Sequence, residues 1–168
     1  MFYDLLDWLY NTSYAEMMRD SLWGYPIGET VHLLGITLLF GSILLADLRF
    51  IGVGRHIGAG ALTSGYLLRV TWIGFALIVL SGLSLFAAYA IDTINSPIFV
   101  AKMVLIAVAG VNMLFFTFRV TSGMHLWESD VTPPTAARVS AGLSIALWTL
   151  TIFAGRLIAY PEIFETAS

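Results

Sequence analysis

The sequence predicts an all-α protein: an integral membrane four-helix bundle with a short amphipathic helix at its N-terminus. Three observations carry this. Hydrophobic residues make up 58% of the 168 residues and charged residues only 11%, against about 25% charged in an ordinary soluble domain. The mean hydropathy is +0.85, and a domain of this size buries only about two-thirds of its surface, so lipid must cover the rest. Four apolar runs are each long enough to cross about 30 Å of hydrocarbon at about 1.5 Å per helical residue. Strands fit poorly, because the runs do not alternate and far exceed the roughly ten residues of a barrel strand. An open backbone has no hydrogen-bond partner in lipid, which also selects helices.

Residues 1–20 alternate apolar and acidic side chains, with Leu5, Trp8 and Leu9 on one helical face. Trp8, Tyr10, Tyr14, Trp23 and Tyr25 suit the headgroup level. The segment is expected to be a short helix, lying either on lipid or against the bundle. Asp4 and Asp7 stand where a signal peptide would be basic. The first span is expected at about 27–46, with Pro26 at its first position, where a missing amide hydrogen costs nothing. Asp47 and Arg49 end the apolar run, and the helix itself is expected to run on toward Gly52 or Gly54. The second span is expected at about 70–91, closed by Asp92, and the third at about 98–118, capped by Ser96 with Pro97 at its first position. Lys102 lies one turn inside the third span and is expected to snorkel outward. Thr132 and Pro133 start the fourth span, at about 136–160, and Pro161 ends it. The whole chain, 1–168, reads as one transmembrane domain.

Charge sets the orientation. Arg49, Arg55, Arg69, Arg119 and Arg138 fall on one side, and Arg19, Lys102 and Arg156 on the other. The positive-inside rule puts the first group in the cytoplasm and both termini outside. Eight Lys and Arg against eleven Asp and Glu leave no basic face for nucleic acid. The absence of cysteine excludes disulfides, thiolate metal sites, iron–sulfur clusters and c-type haem attachment.

Gly35, Ser42 and Arg49 recur every seven residues, with Gly28 one step earlier, and with Gly74, Ser81, Ser84 and Ala88 on the second span they form seams on which helices approach closely in lipid. Ala109, Gly110 and Asn112, and Ala137, Ala141, Ser144, Thr151 and Gly155, offer the same on the last two spans. Such seams suit a tight bundle and a homodimer. Asn112, in mid-span, is expected to bond another helix.

Polar groups inside a membrane mark functional sites by default. The three histidines are His32, His56 and His125. His32 lies about one turn inside the first span, with Glu29 three residues before it, and reads either as a ligand or proton-handling group or as a structural hydrogen bond. His56 and His125 fall in the two cytoplasmic loops. Two imidazoles facing one another hold a b-type haem, the haem b of many membrane proteins. Arg49 and Arg119 then stand ready for its propionates, because guanidinium clamps carboxylates. The alternative is a polar network at the membrane surface. Arg119 is also a candidate partner for Asp47. No His-Glu-x-x-His motif or nucleophilic triad is present.

The pieces Tyr25-Pro26, Glu29-x-x-His32, Gly35, Gly41, Asp47-x-Arg49 and Gly52 resemble a family of small bacterial four-span integral membrane proteins, over most of the chain. In size and layout the chain is similar to the b561-type cytochromes and to the membrane domain of copper-resistance proteins. The resemblance implies a bacterial inner-membrane protein in which helix-borne histidines hold haem b and pass electrons between a quinone and another carrier. The chain departs from the b561 pattern in having three histidines rather than four. The expected function is therefore electron transfer between a quinone and a redox partner. His56 and His125 would be axial ligands, and His32 a further ligand or an outer proton site. Two other readings stand beside it: a small non-enzymatic subunit or scaffold of a larger membrane complex, and a proton-linked channel or carrier built on His32 and Glu29.

Overall fold

A computed structural model describes residues 1–54, 65–120 and 133–160. All its regular structure is helical: α1 (Phe2–Tyr10), α2 (Ser13–Asp20), α3 (Gly24–Ile51), α4 (Tyr66–Ala88), α5 (Ala90–Asn95), α6 (Pro97–Phe115) continued by a π-helical turn (Phe116–Val120), and α7 (Thr135–Leu157). Helices α3, α4, α6 with its π turn, and α7 are long and apolar enough to cross a membrane. The molecule is a multi-pass, all-α membrane protein.

The four spans pack in the order α4, α3, α7, α6. The tightest seam joins α3 to α4. Gly35, Ser42 and Arg49 are buried on α3, and Gly74, Ser81 and Ala88 on α4, each set spaced by seven residues. That spacing keeps one stripe against one neighbour along a left-handed crossing. A Cβ at Gly74 would lie 2.5 Å from the Leu39 nitrogen and 2.9 Å from the Gly35 carbonyl oxygen, so only glycine permits this approach. On α7, Ala137, Ser140, Ala141, Leu147, Thr151 and Ala154 are buried. Helix α6 buries the smallest share of its apolar window. Asn112 clasps it to α7: its Nδ2 donates to the Ser140 carbonyl at 3.0 Å, and the Ser140 hydroxyl donates to its Oδ1 at 2.9 Å. Gly110 faces open space rather than a helix.

Several boundaries differ from the sequence expectation. The N-terminal segment is two helices, broken where Thr12 caps α2 by accepting from the Ala15 amide at 3.2 Å. Consecutive Asn11, Thr12 and Ser13 offer the backbone alternatives to continuing the helix. Both helices dock on protein through Leu6, Ala15 and Met18, while Tyr3, Trp8 and Tyr14 stay exposed. The first span starts at Gly24, so Pro26 sits third rather than first; any first-turn position tolerates it. The second span stops at Ala88 rather than Ile91, because Arg19 captures the Ala88 carbonyl at 3.0 Å and the chain turns at Tyr89. The fourth begins at Thr135, with Pro134 in the position just before it. Pro133 precedes a proline, which disfavours helical geometry there. Gly52 ends α3 with φ 107°, a left-handed cap suited to glycine.

Candidate functional site

Ionisable side chains gather at both ends of the bundle. At the end carrying the N-terminus, His32 is half-buried on α3 and its Nδ1 lies 2.9 Å from Ser81 Oγ on α4. Ser81 has one proton to give and directs it to the Leu77 carbonyl. Its oxygen is left to accept, so the neutral imidazole carries its proton on Nδ1. The Nε2 lone pair is left with no partner among the described residues. Gly82 makes room for the ring: a Cβ there would come within 3.2 Å of Cε1.

Lys102 reaches the same layer from α6. Its stem crosses Gly155 of α7, where a Cβ would lie 3.3 Å from Nζ, and its charge acts on His32. Glu29 does not pair with His32. It turns to Arg156 of α7, 3.9 Å away, in an ion pair that solvent screens because both side chains are about half exposed or more. Arg156 also donates to the Tyr160 hydroxyl at 2.8 Å.

At the opposite end, Asp47 is 7% exposed and Arg49 4%. Ser144 of α7 faces the Asp47 carboxyl, whose Oδ2 has no hydrogen-bond partner among the described residues. Phe50 packs there with Ala137 and Ala141, its ring 4.9 Å from that of Phe116. The candidate Asp47–Arg119 pair does not form, and Arg119 is exposed. Ala109, Asn112, Phe116 and Arg119 would share a face in an unbroken α-helix. The turn at 116–120 is π-helical instead, which changes the register, and Arg119 within it is exposed.

Arg49 and Arg119 thus lie at one end of the bundle, and His32 at the other. The expected meeting of His56 with His125 lies outside the described residues. Among the described residues no three His, Asp or Glu side chains come together to hold a metal ion. A haem asks less, needing only one or two axial side chains. The sequence reading missed Ser81 as the partner of His32, although its place in the buried seam was visible, and missed that the Lys102 stem rests on Gly155 of α7.

Residues 7–161 match the profile of a family of unknown function, DUF6644. The chain belongs to that family. The match takes in all four spans of this DUF6644 protein, together with both of its ionisable clusters. No curated protein and no solved structure matches it significantly.

Proposed function

We propose that this DUF6644 protein is a b-type haem protein of a bacterial inner membrane that passes electrons between a quinone and a redox partner. The observation that carries the reading is the state of His32. A ligating histidine usually gives its other ring N–H to an oxygen, which fixes the tautomer and leaves the second nitrogen for the metal. His32 has that arrangement: Nδ1 is tied to Ser81 and Nε2 is unengaged among the described residues. His32 would hold an outer haem. His56 and His125 remain the ligand candidates at the end marked by Arg49 and Arg119. Haem b, when bound, supplies the one-electron chemistry. The protein would supply an imidazole fixed by Ser81 and seated against Gly82.

The test is a dithionite-reduced minus oxidised spectrum of protein made with ample haem. A Soret band and a sharp reduced α band are expected. His32→Ala is expected to abolish or shift the outer signal, while His56→Ala and His125→Ala report on the other end. A protein without a Soret band sinks the haem reading. The second reading, a proton-linked carrier, is favoured by the Glu29–Arg156 pair beside His32. A colourless protein that moves protons in liposomes, and stops doing so on Glu29→Gln, would replace the first.

A further inference from the structure

Lys102 is half-buried inside a membrane span, five residues after Pro97, about 7.5 Å along the helix. That is the depth of the boundary between headgroups and acyl chains. A lysine there normally stretches outward to water. This one rests against α7 on its way, with Cδ, Cε and Nζ all within 3.8 Å of the place a Gly155 Cβ would fill. No carboxylate, hydroxyl or carbonyl accepts from it among the described residues. Glu29 is taken by Arg156, and the ionisable group its charge acts on, His32, is itself basic. Arg156, next to Gly155 in sequence, adds a second positive charge at this end of α7.

From this arrangement we propose that Lys102, bedded on Gly155, is a phosphate-binding site at the α6–α7 crossing, occupied by the headgroup of an acidic phospholipid from the leaflet on the side of the termini. An uncompensated ammonium at this depth has a large gain to make from an anion. The bilayer presents phosphodiesters at that level, and exposed Val100, Met103 and Val104 on α6 and Phe153 on α7 offer apolar surface for the acyl chains. The proposal does not depend on haem.

The test is native mass spectrometry of the full-length protein released from nanodiscs of phosphatidylglycerol and phosphatidylcholine in equal parts. The wild type is expected to retain phosphatidylglycerol preferentially. Lys102→Met is expected to weaken that retention about fivefold, the scale of one basic residue near a membrane surface. Gly155→Val keeps the charge but fills its bed, and is expected to weaken retention in the same direction. Lys102→Arg keeps a cation and is expected to hold the preference. Equal retention of the two lipids by the wild type overturns the proposal, and so does unchanged preference in both Lys102→Met and Gly155→Val. Displacement of the lipid by excess inorganic phosphate would overturn the lipid assignment and leave a soluble phosphate as the ligand. A Lys102→Met protein that keeps its lipid but loses haem would overturn the site altogether and assign the lysine to the cofactor.

Discussion

Gly74 shows how much a single hydrogen in place of a methyl decides. The atoms a Cβ would strike, the Leu39 nitrogen and the Gly35 carbonyl oxygen, are backbone and cannot rotate away. Gly74→Ala is therefore expected to push α3 and α4 apart and to cost about 1–3 kcal/mol by overpacking, read from unfolding by sodium dodecyl sulfate in mixed micelles. Gly110→Ala, with nothing within 4 Å of its Cβ, is expected to change stability by less than about 0.5 kcal/mol. Equal losses in the two would mean that the seam does not depend on close approach. The same residue scale shows where sequence reasoning runs out. His32 stood out because an imidazole in lipid is rare. Glu29 looked like its partner because it lies one turn away, yet the ring turned to Ser81. Which way a side chain on α3 faces depends on the rotation at which α3 meets α4, and that rotation is fixed by Gly35 and Gly74 together. Arg119 does not reach its candidate partner Asp47, and the π-helical turn that carries it is a local change of register that no spacing rule announces.

At the scale of elements, the spans were legible because lipid imposes length and continuous apolarity, and proline or glycine marks the ends. Pro97 and Gly52 fell where local chemistry required. The break after Ala88 was not legible, because its cause is an arginine nearly seventy residues away in sequence. Arg19 bonds the carbonyls of Tyr10 and Ala88, both at 3.0 Å, and stacks over the Tyr10 ring 3.9 Å from its centre. One guanidinium thus ties α1, α2 and the end of α4 together. Arg19→Ala is expected to loosen the N-terminal pair by about 1–3 kcal/mol, the worth of hydrogen bonds to a charged group. Amide exchange in α1 and α2 should then speed up at least several-fold, while exchange in α3 stays unchanged. Acceleration spread evenly over all spans would show that Arg19 supports the bundle as a whole rather than the docking of two helices.

For the whole molecule, charge asymmetry decides which way the bundle sits. Leu22 and Val53 are exposed at opposite ends of α3, at 89% and 57%, and the chain has no native cysteine. In intact cells, a membrane-impermeant thiol reagent is expected to label Leu22→Cys directly and Val53→Cys only after permeabilisation. The reverse pattern would invert the orientation, moving the Lys102 crossing to the cytoplasmic leaflet. The packing order was not available from the sequence. All four spans are apolar enough to lie anywhere in a bundle, and the choice of neighbours rests on which small residues interlock.

That packing order also sets how the molecule would come apart. Helix α6 is gripped along its length chiefly by α7, meeting α5 and Phe86 of α4 only near its start and Phe50 of α3 only at its end, so it has the least to lose by swinging into the surrounding lipid. Warming or thinning the bilayer would peel this flank first. The Asn112–Ser140 clasp would serve as the pivot on which the outermost rod turns before the inner pair of rods yields.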